Sequence, residues 1–153
     1  MAPGELVKRD STGQLQVPAA TVGPTGDADR PFDTKELELL DEVIDAAERV
    51  TGLRFSAYLG DLGADSRATA LGLLAGLGAD APNAVLVAVS PGQRIVEVVT
   101  GTVAGLRITD RAARLAVLTV VSAASSGDLT TALVNGVRTL ADQAGTLPDR
   151  TGW

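Results

Sequence analysis

Apolar residues take up a helical period from residue 37, where Leu37, Leu40, Ile44 and Ala47 recur at i, i+3 and i+4 and are joined by Val43 and Val50. Glu38, Asp41, Glu42, Asp45 and Glu48 fall largely on the opposite face. Asp33 followed by Glu36 is an Asp form of the capping box, Phe32 and Leu37 hold the staple positions, and Gly52 supplies the stop. Leu53–Leu59 then alternates, with Phe55, Ala57 and Leu59 on one side and Arg54, Ser56 and Tyr58 on the other, which predicts a half-buried strand. After the loop 60–65, Ser66 can cap a helix to about Leu77, in which Gly72 and Gly76 would permit close backbone approach.

NAVLVAVS, residues 83–90, is an almost unbroken apolar run, the pattern of a strand buried on both faces. Ser90-Pro91-Gly92-Gln93 signals a turn, with Gly92 supplying a positive φ, and RIVEVVT (94–100) reads as the returning antiparallel strand. Thr109 can cap a helix from Asp110 to about Ala123, although Val117, Thr119, Val120 and Val121 leave a strand open there. Gly127-Asp128 starts a last helix to about Ala144, with Leu129, Leu133, Val137 and Leu140 at helical spacing. The strand from 53, the helix from 66 and the strand from 83 form a crossover unit with a parallel pair, and the hairpin adds an antiparallel strand. The expected fold class is α/β, a small mixed sheet of three to four strands sandwiched between helices. It occupies residues 32–146, between a disordered N-terminal tail (1–31) holding four of the seven prolines and a short C-terminal tail (147–153).

Composition narrows the chemistry. The 153 residues contain no Cys and no His, which removes disulfides, thiolate nucleophiles, zinc sites with N or S ligands and histidine acid–base catalysis. The net charge of −6 is concentrated in residues 32–52, where seven acidic residues face two basic ones. An acidic chain without a basic, aromatic-flanked cluster is not expected to bind nucleic acid. No secretory signal pattern and no apolar run of membrane-spanning length occurs, so direct membrane insertion is not expected and the cytoplasm is the expected location.

Lys8 and Lys35 are the only lysines, so no P-loop is present, and no Ser is flanked by glycines as a nucleophile elbow requires. Asp27-Ala28-Asp29 has the look of an acidic phosphatase pair but lacks an apolar strand before it. The loop Asp61-Leu62-Gly63-Ala64-Asp65-Ser66 lies at the carboxyl end of an expected strand, where open α/β sheets place ligands. Asp61 and Asp65, with Glu97 from the returning strand and Asp110 at a helix start, are the candidate ligands for a hard cation, Ca²⁺ or Mg²⁺. Their plainer roles are helix capping for Asp65, a first-turn dipole partner for Asp110 and edge protection for Glu97. Arg107, Arg111 and Arg114, at i, i+4 and i+7, are expected along one helix face, opposite in charge to Glu38, Asp41, Glu42 and Asp45; these two faces are the candidate partner-binding surfaces.

From Phe32 to Ala144 the chain resembles the TPM domain, in particular an uncharacterised actinobacterial branch of it. The resemblance is carried by the capped helix at 33, NAVLVAVSPGQRIVEVVTG (83–101), ITDRAA (108–113) and GDLTTALVNGV (127–137). It implies a sheet between helices and favours helix after Thr109. Members of that family have been assigned acid phosphatase activity, calcium binding through acidic residues, or a helper role in the assembly of membrane complexes. Here Gly101-Thr102-Val103 replaces the Gly-x-Gly often found after the returning strand, and Gly76-Leu77-Gly78 replaces the usual Trp-Gly. The expectation is a non-catalytic protein-binding or assembly module, with an unknown protein partner or self-association. The alternative is a weak divalent-metal-dependent acid phosphatase using the four carboxylates.

Overall fold

The computed structural model describes residues 33–146 together with the backbone of two N-terminal strands, β1 (Gly4–Arg9) and β2 (Leu15–Gln16). Phe32, Asp27-Ala28-Asp29 and the tail 147–153 lie outside the described residues, as does most of the stretch read as disordered. The remaining elements are α1 (Thr34–Thr51), β3 (Arg54–Gly60), α2 (Ser66–Ala75), β4 (Ala84–Ser90), β5 (Ile95–Thr100), α3 (Asp110–Ala124) and α4 (Leu129–Ala144). Short 3₁₀ helices at Gly78–Asn83 and Ala104–Leu106 precede β4 and follow β5.

The sheet order is β2-β1-β3-β4-β5. The three strands expected from 53 onward are all present, β3 parallel to β4 and β4 antiparallel to β5. To these the N-terminal segment adds β1, with Gly4 opposite Gly60 and Val7 opposite Ala57, and the two-residue β2 beyond it, so the sheet is wider than the sequence pattern announces.

Local chemistry explains where the helices start. Asp33 accepts from the Glu36 amide while the Glu36 carboxylate accepts from the Asp33 amide, the full capping box. Gly52 ends α1 in the left-handed conformation at φ 76°. Asp65, rather than Ser66, caps α2 through the Ala68 amide, Thr109 caps α3 through the Ala112 amide, and Asp128 caps α4 through the Thr131 amide. The segment after Thr109 is therefore helix: its β-branched residues are outweighed by a sound cap and by burial of Ala112, Ala116 and Val120.

Three helices cover one face of the sheet. Leu40 and Ile44 of α1, Ala116 and Val120 of α3, and Leu133, Val137 and Leu140 of α4 pack on Phe55, Ala57, Val85, Val87 and Val98. Gly136 lets α4 approach α3, because a Cβ there would lie 2.6 Å from Cγ2 of Val120. The other face holds a smaller cluster of Tyr58, Leu62, Ala70, Leu74, Ala84, Leu86, Ala88 and Val99 beneath α2. This second layer corrects the expectation for β3: Ser56 and Tyr58 are buried, so the strand is covered on both faces beyond Arg54.

Two turns also differ from expectation. Gly72 faces open space and Gly76 meets only carbonyls of the turn before it, so neither brings another element close. In the hairpin the positive φ falls on Arg94, at 57°, and not on Gly92; the Arg94 amide donates to the Pro91 carbonyl at 3.2 Å and β5 starts one residue later. Close approach occurs instead at Gly101. Its amide donates to Ala84 O at 2.9 Å, and a Cβ on it would stand 1.9 Å from Ala81 O.

Candidate functional site

Parallel β3 and β4 send their following loops out of the same edge of the sheet, the edge where α/β folds open a crevice. The polar groups there are largely spent on one another. The Tyr58 hydroxyl donates to Asp61 O at 2.8 Å, and the Asp61 carboxylate accepts from the Gly63 amide at 3.0 Å. Gln93, which sequence reading passed over as a turn residue, holds the loop in place. Its amide oxygen accepts from the Leu62 amide at 2.7 Å and the Ser90 hydroxyl at 2.6 Å, and its amide nitrogen donates to Gly63 O at 2.8 Å.

The four candidate metal ligands have separate occupations. Asp65 caps α2, and Glu97 accepts from the Ser66 hydroxyl at 2.5 Å and faces the Arg67 guanidinium at 3.8 Å. Asp110 opens α3, which packs on the face of the sheet opposite α2. Among the described residues no group of three or more Asp or Glu side chains is placed to hold a metal ion. The expectation of one ligand set from Asp61, Asp65, Glu97 and Asp110 is therefore corrected: Asp61 serves the Gly63 amide, Asp65 caps α2, Glu97 is held by Ser66 and Arg67, and Asp110 starts a helix on the other face of the sheet.

The arginine face is corrected as well. Arg107 follows the 3₁₀ helix Ala104–Leu106 instead of lying on α3, and its guanidinium turns inward. It donates to Thr51 O, to Ala144 O at 3.2 Å, and to Gly145 O and Thr146 O at 3.0 Å each, so one cation satisfies the carboxyl ends of both α1 and α4. At the other end of these helices the Thr130 hydroxyl donates to Glu36 at 2.5 Å. The two helices thus run side by side in the same direction, pinned at both ends.

Arg111 and Arg114 remain on the outer face of α3, exposed. Behind them on the same face stand Leu115, Leu118 and Val121, with Leu118 67% exposed. A second apolar stripe at i, i+3 and i+6, opposite the buried Ala112, Ala116 and Val120, was the available signal for this face. On α1, Glu38 and Glu42 are exposed beside Leu39, Ala46 and Val50, whereas Asp41 and Asp45 are half-buried and already engaged in polar interactions. At the start of α4, hydrogen bonds from the Thr131 amide and then its hydroxyl hold the Asp128 carboxyl below its ordinary value.

These features define a small α/β sandwich domain with an internally satisfied loop edge and an exposed basic and apolar helix. The chain belongs to the family described as Domain of unknown function (DUF5130), whose model matches residues 10–141. An uncharacterised protein of Mycobacterium tuberculosis, in two strains, is 40% identical over 110 residues; the match covers 72% of this chain and 65% of that protein. The chain thus matches about two thirds of the length of these relatives, and slightly less than that. In fold it is similar to BA42 from the psychrophilic bacterium Bizionia argentinensis (TM-score 0.66, 16% identity, 74% of this chain and 81% of that one). The N-terminal domain of a P. gingivalis protein is also similar (TM-score 0.63, 18% identity, 73% and 75% covered). No helix among the described residues is long and apolar enough to cross a membrane.

Proposed function

We propose that this chain is a TPM-like, non-catalytic protein-binding module that works through the outer face of α3. The observation that supports it is the combination on that face of exposed Leu115, Leu118 and Val121 with Arg111 and Arg114, which make no ion pair among the described residues. Such a face suits an acidic, partly apolar helix. The chain itself carries one, the Glu38, Leu39, Glu42, Ala46 and Val50 face of α1. Within one molecule α4 lies between α1 and α3, so the complement we propose is the α1 face of a second copy. A two-fold pair satisfies both contacts at once, each α3 meeting the other copy's α1.

The test is the mass distribution in solution as a function of concentration and salt. Wild-type protein should form dimers that salt weakens. Arg111→Glu with Arg114→Glu, or Glu38→Arg with Glu42→Arg, should weaken association at least tenfold, and mixing the two charge-reversed proteins should restore a mixed dimer. Unchanged masses in both variants overturn the reading.

A further inference from the structure

A cavity of about 380 Å³ lies between the β4–β5 turn and the α3–α4 connection, at the carboxyl end of β4. Its volume is within the range of small-molecule sites. Val89, Val96, Val121, Ala124 and Leu129 supply apolar walls, and Arg94 is the one charged residue lining it. Arg94 makes no hydrogen bond or ion pair with its side chain among the described residues. The nearest acidic neighbour in sequence on the α3–α4 side, Asp128, is committed to the Thr131 amide and hydroxyl.

The backbone gives Arg94 a second distinction. It is the one non-glycine residue at positive φ among the described residues, a conformation that glycine takes without cost and arginine does not. Gly92 sits two positions earlier in the same turn, yet the strained position carries the long cationic side chain. An unpaired guanidinium at the mouth of an aliphatic cavity calls for an anion with an apolar body. Ser90 and Ser125 also line the cavity, but their hydroxyls are donated to Gln93 and to the Val121 carbonyl, so a dianionic phosphate would have one cation for two charges whereas a monoanion is matched by Arg94.

We infer that this cavity binds a straight-chain aliphatic carboxylate, its chain against Val89, Val96, Val121 and Leu129 and its carboxylate on the Arg94 guanidinium. This does not rest on the α3 docking reading and survives its failure. The test is titration of the labelled full chain with octanoate, following backbone amides, with octan-1-ol and acetate as probes lacking the charge or the chain. Octanoate should give saturable shifts around Val89, Val96, Val121 and Leu129, and acetate should give none. Arg94→Gly relieves the backbone while removing the cation, so it should keep the fold, weaken octanoate at least tenfold and leave the octanol response as it was. Ala124→Leu fills the cavity with the guanidinium intact and should abolish both responses. Unmoved lining amides, or equal octanoate affinity in wild type and Arg94→Gly, overturns the assignment.

Discussion

One face of the sheet carries three helices and the other carries one, and the two layers are secured in different ways. Beneath α1, α3 and α4 the core is broad, and a single polar residue, Arg107, gathers the loose carbonyls of two helix ends. Beneath α2 the apolar cluster is small, and polar side chains close its margin: Tyr58 on Asp61, Gln93 across the loop, Glu97 between Ser66 and Arg67. The lesson is that the loop edge, which has the outward form of a ligand crevice, spends its polar groups on holding down a thin layer. Arg111 and Arg114 of α3 and Arg94, which make no ion pair among the described residues, lie on the crowded side.

Unequal cores should respond unequally to the same truncation. Leu133→Ala on the three-helix side should cost about 4 kcal/mol and Leu74→Ala under α2 about 2 kcal/mol in urea unfolding, since Leu74 belongs to the smaller cluster under a single helix, where the surroundings can close in more easily. Equal losses would break the contrast. The polar fasteners sharpen it further. Arg107→Ala should cost about 2 kcal/mol and speed amide exchange in the last turns of α1 and α4, while Gln93→Ala should cost about 1 kcal/mol and expose the Leu62 amide alone. Exchange spreading through α2 in the Gln93 variant would show that the loop and helix open together.

Asp128 gives an effect as small as that of Gln93, together with a pH signature. Its acidity is raised in the folded chain by the Thr131 hydrogen bonds, so its contribution is complete above the ordinary carboxylate value and is lost as pH falls through the folded one. Asp128→Ala should cost about 1 kcal/mol at neutral pH, and the gap to wild type should narrow on acidification. A gap that stays constant down to the acid transition would remove the charge from the account of this cap.

Much of the fold was legible because it is written locally. The Asp33–Glu36 box, Thr109, Asp128 and the run 83–90 each announce themselves within a few residues, and all are found where the pattern puts them, the strand starting one residue later at Ala84. What was hidden depends on distant partners. Gly4–Arg9 becomes a strand only by pairing with β3 some fifty residues later, and nothing near Arg107 says that its acceptors are Thr51 and Ala144–Thr146. The carboxylates misled for the converse reason: acidic loop residues before a helix look alike whether they cap it or hold a cation, and only the geometry around Asp65 and Glu97 separates the two.

The seam at Gly101 has a consequence for how such a chain can change over generations. Leu133 or Val120 can be exchanged for a neighbour in size if another core residue gives way. Gly101 has no such latitude, because the atom that a replacement would strike is the Ala81 carbonyl oxygen, in a segment tied down by the bonds from Gly101 to Ala84 and from Val103 to Pro82. Any side chain there adds a carbon that meets backbone instead of a side chain, so a change that the core absorbs by repacking would here require the chain itself to move.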